Sequence, residues 1–336
     1  MSDFGRLLNA GIDVDGPGGL IQFNQQVLFN QGAVSVIGRG NIYYLDATNG
    51  SDSNNGKTPT QAFLTLATAY AAMTTNQNDT LFILDNGTDE TYTTAITWAK
   101  NHCHVVGVGG PQGGVEKGVQ LNGAAVVTTT GHLTISGNNN TFTGLCFAQL
   151  GTATALVNVG ITGDGNSFFD CQFKNMNNAA TADEAGMLGV ILNGCNKTSF
   201  FRCTFGSTEV TRTDGAADLT IGAGTILSLY MEDCIFIADL DAAADADHAF
   251  IEQVADADLG DFALLVRPTF INAGANAALP DAMTIGASTT GFWLLRDPLL
   301  VYITDICDNE EKMWVTSRHD TTPGKFEGIA VNTDVT

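Results

Sequence analysis

Positive charge is scarce in this chain. Against 36 acidic residues there are 14 lysines and arginines, a net charge of −22 over 336 residues. Such a balance repels phosphate backbones and anionic bilayers, so neither nucleic acid nor a membrane surface is an expected partner. Tryptophan (3) and tyrosine (6) are too few for an extensive sugar-stacking surface. No apolar run approaches the ~18 residues a membrane span needs. The start, Met1-Ser2-Asp3-Phe4-Gly5-Arg6, lacks the basic segment and apolar run of a secretory leader. The seven cysteines are odd in number and contain no Cys-x-x-Cys pair, which predicts reduced thiols made in a cytosol rather than a disulfide frame or a zinc site.

Catalytic sets are also thin. Arginine occurs at 6, 39, 202, 212, 267, 296 and 318 only. A lyase-type base beside a carboxylate cluster is not evident, and Asn332-Thr333-Asp334, a glycosidase-like triplet, falls in the terminal segment. His102-Cys103-His104 would set two imidazoles on one strand face, a weak metal signal more consistent with an exposed strand edge. Asp46 to Gly56 alternates carboxylates and amides as calcium loops do, but without a closing glutamate, which favours turn chemistry. No catalytic residue, metal or cofactor is therefore expected, although two carboxylates at glycosidase separation remain compatible with the sequence.

What the chain does have is glycine, 38 residues, and a repeat. An apolar residue, two others, then Leu, Cys or Pro, one other, and an apolar residue recurs. It reads Phe142-x-x-Leu145-x-Phe147, Phe168-x-x-Cys171-x-Phe173, Phe200-x-x-Cys203-x-Phe205, Met231-x-x-Cys234-x-Phe236 and Leu265-x-x-Pro268-x-Phe270, with a weaker Leu295-x-x-Pro298-x-Leu300. A second mark, apolar-x-Gly followed by polar turn residues, precedes the first three copies at Gly137, Gly163 and Gly194. Strand parity puts Cys171 with Phe173 on one side, and the odd step from Phe142 to Leu145 demands a bend. The two marks keep phase, which predicts an all-β, right-handed parallel β-helix. In it Phe147, Phe173, Phe205, Phe236 and Phe270 form an internal ladder, and Cys171, Cys203 and Cys234 a cysteine stack. The residues before each Cys or Pro give an outward row of alternating sign, Asp170, Arg202, Asp233, Arg267.

Four segments follow: an extended arm over 1–40; an opening strand, turn loop and capping helix over 41–80; the parallel β-helix over 81–300; and a C-terminal cap or tail over 301–336. Thr58-Pro59-Thr60-Gln61 reads as a capping box opening a helix that runs to about Met73. The acidic, alanine-rich stretch 238–261 reads as an inserted loop or helix on one side.

Ile42-Tyr43-Tyr44-Leu45-Asp46, Asn49 through Gly56, Pro59, Ala62-Phe63, Thr65-Leu66 and Ala69 resemble the opening segment of pectate-lyase-like right-handed parallel β-helix proteins. That group includes polysaccharide lyases and bacteriophage head and tail proteins. The resemblance implies the fold directly. For function it implies a virion structural protein assembled in a host cytoplasm, most simply a capsid decoration or cement subunit. A tailspike or tail fibre that binds, or cleaves, a surface polysaccharide is the alternative, and a secreted lyase the third reading. It also implies a homo-oligomer, with a trimer favoured, partnered by the major capsid protein or other virion subunits. The contacts are expected from apolar positions in the arm: Phe4, Leu7, Leu8, Ile12, Leu20, Ile21, Phe23, Val27, Leu28 and Phe29.

Overall fold

The computed structural model describes residues 12–13, 22–23, 40–111, 114–124, 131–151, 157–174, 187–212, 216–241, 248–255, 257–274, 279–286, 290–316 and 329–330. Each turn of the chain lays one strand on each of three sheets. One turn runs Ser167–Phe169 on the first sheet, Gln172–Lys174 on the second and Met187–Leu192 on the third, then returns as Ser199–Phe201 to the first. The first sheet holds 12 strands and the others eight each. Pairing within them is parallel, except where Ile329–Ala330 closes antiparallel on Met313–Thr316. This is the right-handed parallel β-helix that the two marks predict.

Two aromatic columns fill the cylinder. Phe147, Phe173, Phe205, Phe236 and Phe270 stand in register on the second sheet, with ring centroids 4.7–5.2 Å apart and at most 1% exposure. Phe142, Phe168 and Phe200 do the same on the first sheet and meet the other column edge-on, as Phe168 meets Phe173 at 5.6 Å. Stacking along a column and T-shaped contact between columns both suit the ring quadrupole. Each fully buried ring adds on the order of 2–3 kcal/mol of transfer free energy. Cys171, Cys203 and Cys234 fill the corner between these sheets, each thiol reaching a carbonyl of the turn before, and burial pushes the thiols of Cys171 and Cys234 up. All seven cysteines are unpaired and buried.

The corners are made by left-handed residues. Between the first and second sheets Gly144, Asp170, Arg202, Asp233, Arg267 and Asp297 have φ from 51° to 63°, and each N–H donates to a carbonyl one turn on, as Asp170 does to Phe201. Between the third and first sheets Asn76, His102, Asn139, Gly165 and Lys197 form a like column. The repeated glycines 137 and 163 serve a different need. A Cβ on Gly163 would lie 2.1 Å from the Gly137 carbonyl oxygen, so close stacking excludes any side chain. Beside them runs an internal amide ladder: Asn140 gives its backbone N–H and side-chain amide to Asn166 Oδ1, and Asn166 gives its amide to the carbonyls of Gly137 and Gly163.

Several expectations are corrected. The capping helix is short: Pro59–Gln61 is only a 3-10 turn, and the α-helix α1 spans Leu66–Ala72 with Thr65 as its N-cap, accepting from Thr68 N. No side chain caps the turn at Thr58, because Asp52 instead gathers the amides of Leu64 and Thr65 and starts the helix there. Helix α1 closes the first turn. Its Leu66 N–H donates to buried Glu90, Tyr70 tilts over Trp98 at 4.9 Å, and Lys100 bonds the carbonyls of Tyr70, Ala71 and Met73 at the C-terminus. The described part of the stretch 238–261 is not an inserted loop or helix: Ile235–Leu240, Ala249–Gln253 and Asp258–Val266 are ordinary strands of successive sheets, and residues 242–247 and 256 lie outside the described residues. The solenoid also outlasts residue 300, since Ile303–Cys307 and Met313–Thr316 extend the third and first sheets in parallel register.

Candidate interaction surface

Of the arm residues expected to make contacts, Phe4, Leu7, Leu8, Leu20, Ile21, Val27, Leu28 and Phe29 lie outside the described residues. Ile12 and Phe23 pair with each other in a two-stranded antiparallel ribbon. The described surface with the most unusual chemistry lies elsewhere, on the outer face of the first sheet.

That face follows from strand parity. Phe142, Phe168, Phe200, Met231, Leu265 and Leu295 point inward, so their neighbours on each strand point out. One outward row runs through Tyr44, Phe82, Val106, Thr143, Phe169 and Phe201, then Glu232, Val266, Arg296 and Thr316. The parallel row ends on Tyr230, Leu264, Leu294 and Trp314. Aromatic neighbours stack here too, Tyr44 on Phe82 at 5.7 Å and Phe169 on Phe201 at 4.8 Å and 4°. Phe262, Phe292 and Trp314 are 37%, 40% and 43% exposed. From Thr141 onward only one or two residues join each first-sheet strand to the second sheet, too few to overhang the face.

The edge of this face carries the alternating row. Arg202 Nε and Nη2 each donate to Asp170 at 2.7 Å, and Arg267 grips Asp233 at 2.6 and 2.9 Å and Glu232 at 2.7 Å. The Arg267 hydrogen bond holds Asp233 below the usual carboxylate range, and bonds from Tyr230 and Arg267 do so for Glu232. The charges neutralise each other in pairs, as the sequence suggested.

Other groups singled out earlier resolve as structure. His102 sits exposed in a left-handed turn against Asn76, whereas His104 begins a central strand and is buried. The two imidazoles do not share a strand face, because the positive φ at His102 turns the chain between them. Asp46 accepts from the amides of Thr48 and Asn49 and from the side chain of Asn86. Burial works against its charge, but these bonds outweigh it and hold the carboxyl low. The Asp46–Gly56 loop is thus closed on itself by turn chemistry. Among the described residues, no group of three or more His, Cys, Asp or Glu is placed to hold a metal.

Two polar clusters have no counterpart in the sequence reading. Lys174, nearly buried on the outside of the second sheet, ion-pairs with Glu116 and Glu209 at 2.7 Å each. Between the second and third sheets Arg212 donates to Asp218 at 2.5 Å and stands 3.2 Å from His248, all three buried. Burial opposes charge on Asp218, yet Arg212 and His248 more than offset it and hold the carboxyl low, while burial and Arg212 push the His248 imidazole below its usual range. Across the outer face of the third sheet the register reads Thr97, Thr134, Gly160, Ile191, Thr220, Glu252 and Thr284. Glu252 is the one ionisable group in that row. The aromatic face did leave a signal: consecutive apolar residues at Phe168-Phe169, Phe200-Phe201, Leu264-Leu265 and Leu294-Leu295 require one to point outward.

No protein-family model matches the sequence, and no curated protein matches it significantly. Solved structures do share the fold. Pectin methylesterase PemA from Erwinia chrysanthemi superimposes with a TM-score of 0.53 at 12% identity, over 79% of this chain and 80% of that one. A pectin methylesterase in complex with a hexasaccharide gives 0.56 at 14%, over 84% and 91%. At these identities the likeness is one of architecture: the chain shares the parallel β-helix fold with these proteins.

Proposed function

We propose that this chain is a non-catalytic structural subunit of a bacteriophage particle, acting as a capsid decoration or cement protein that stabilises the head. One observation carries the reading. On a strongly acidic chain, the outer face of the first sheet carries stacked aromatics, and Phe262, Phe292 and Trp314 toward its C-terminal end are 37–43% exposed. Exposed apolar area of this extent marks a protein contact. In this reading the face serves assembly, the arm residues from Phe4 to Phe29 reach the major capsid protein or another virion subunit, and the protein resides in the virion. A rigid solenoid resists the strain of a filled shell better than a loop-rich domain does.

A second reading, a tail protein that binds or cleaves a glycan, draws on Lys174 with its two half-exposed glutamates, a polar site on a different face. Electron microscopy of purified particles labelled with antibody against this chain tests the first reading. Label on the head is expected. Label confined to the tail, together with release of reducing ends from a polysaccharide panel, would replace it with the second, and absence from particles would end both.

A further inference from the structure

The geometry points to a soft-metal site in the cysteine stack: a two-coordinate Cu(I) ion held in line between the sulfurs of Cys203 and Cys234. The inference stands apart from the virion reading and rests on none of its observations.

Two carbonyls fix each sulfur. Cys171 Sγ lies 3.5 Å from the Phe142 oxygen and 3.4 Å from that of Phe169. Cys203 Sγ lies 3.6 Å from the oxygens of Phe168 and Phe201, and Cys234 Sγ 3.5 Å from Phe200 and 3.6 Å from Glu232. These carbonyls belong to residues in parallel register, one turn apart. The sulfurs therefore step by one turn as well, about 4.8 Å. Metal–thiolate bonds run to about 2.3 Å, so two in line span about 4.6 Å. An ion thus fits midway between successive sulfurs with no strand displaced. A disulfide does not fit. Parallel translation keeps the Cβ atoms about 4.8 Å apart too, beyond the roughly 3.5–4.5 Å that an S–S bond needs.

Chemistry selects the ion and the gap. Thiolate sulfur is soft and selects Cu(I), whereas structural zinc takes four ligands. Among the described residues no three His, Cys, Asp or Glu converge, so only an ion content with two sulfurs is served. On binding, two Cu–S bonds form, both thiol protons leave to solvent, and the unit carries one negative charge. What the sulfurs give up is a thiol donor, which is a weak one. Lys117 supplies the counter-charge: its ammonium bonds the Arg202 carbonyl, next to Cys203, and favours a thiolate at both Cys203 and Cys234. Burial opposes a thiolate at Cys203, yet hydrogen bonds with Cys171 and Cys234 outweigh it and hold that thiol well below its usual range. At Cys171 the carboxylate of Asp170 acts the other way, which leaves the gap between Cys171 and Cys203 the poorer one. All three cysteines are at most 1% exposed, so the ion is sealed from water and exchanges slowly.

The test incubates the full chain, reduced and under argon, with Cu(I) delivered as its bicinchoninate complex until the colour is steady. Loss of the chelator's colour counts the ions withdrawn, and X-ray absorption at the copper edge counts their sulfur neighbours. One ion per chain with two sulfur neighbours is expected. Cys234→Ala should weaken uptake by at least about a hundredfold, whereas Cys171→Ala should leave it unchanged. Lys117→Gln keeps every thiol and the core side chains in place; it should weaken uptake about tenfold and guards against misfolding of the cysteine variants. Cys146→Ala, at a buried thiol outside the stack, should change nothing. Absence of uptake, uptake indifferent to Cys234→Ala or to Lys117→Gln, or three or more sulfur neighbours overturns the inference. So does a disulfide between Cys203 and Cys234 after exposure to air, since the sulfurs would then approach far closer than one turn.

Discussion

Asp170 and Arg202 occupy the same corner on successive turns, both in left-handed backbone, and the arginine bridges both oxygens of the carboxylate. The pairing is half-exposed, so its net contribution is small, about 0–1 kcal/mol. The backbone at 202 costs a non-glycine residue roughly 1 kcal/mol or more. Arg202→Gly should therefore leave urea stability within about 0.5 kcal/mol of wild type, whereas Arg202→Val should lose about 1–2 kcal/mol. Equal losses for both would mean that the ion pair, not the turn, dominates.

Phe205 lies mid-ladder between Phe173 and Phe236. Phe205→Ala should cost about 3–5 kcal/mol, and Phe205→Leu under about 1.5 kcal/mol. Chemical denaturation monitored by far-ultraviolet dichroism measures both, and a small loss for alanine would mean that the column collapses to refill the cavity.

The ladder was legible because a period of about thirty residues repeated the same inward phase. Residues 80–123 form rungs just as regular, yet carried no mark: ten residues separate Val108 from Val119, and the short spacing that defines the repeat is stretched there. His102 misled because a left-handed residue looks like any other in sequence. The alanine-rich stretch 238–261 misled because its charges suggested solvent, while its apolar residues Leu240, Phe250 and Ile251 are buried in the core. The arm residues were read as contacts on composition alone, whereas the aromatic face needed parity applied to both sides of each strand.

Asn166 supplies a buried amide to two carbonyls and its oxygen to Asn140. Asn166→Ala should cost on the order of 2–4 kcal/mol by orphaning several groups together. Gly163→Ala, which removes no hydrogen-bonding side chain, should cost at least as much because its methyl meets backbone. A stable Gly163→Ala protein, by calorimetry, would show that the stacking distance is adjustable.

Asp218→Asn should cost about 3–5 kcal/mol, because it leaves Arg212 charged in the interior. Replacing the pair together with well-packed apolar residues should recover most of that loss. A double-mutant cycle by urea denaturation separates the two outcomes, and additivity would show that Arg212 finds another partner.

His132 is fully buried, and burial pushes its imidazole down to about 4. In the unfolded chain it titrates near ~6.5. Between these values the unfolded state binds a proton that the folded state refuses, so the stability is present above pH ~6.5 and is lost as pH falls toward 4. The window is worth up to about 3 kcal/mol. His104 and His248, also lowered by burial, add to the slope in the same direction. His132→Leu should flatten the curve of unfolding free energy against pH over this range, and an unchanged slope would refute the assignment.

Phe147 precedes Phe173 by 26 residues and Phe236 precedes Phe270 by 34, yet both pairs are in register. The difference is taken up on both sides of the third sheet: Phe236 to Ile251 is longer than Phe147 to Val159, and Ile251 to Leu265 exceeds Val159 to Phe168 by more still, while the step from the first sheet to the second stays constant. Pitch is thereby uncoupled from contour length, and closing a longer loop costs only logarithmically more entropy. Those two connections are splice sites built into the scaffold. A foreign peptide grafted there would be displayed at a fixed height along a stiff rod, while the opposite face stayed as it is.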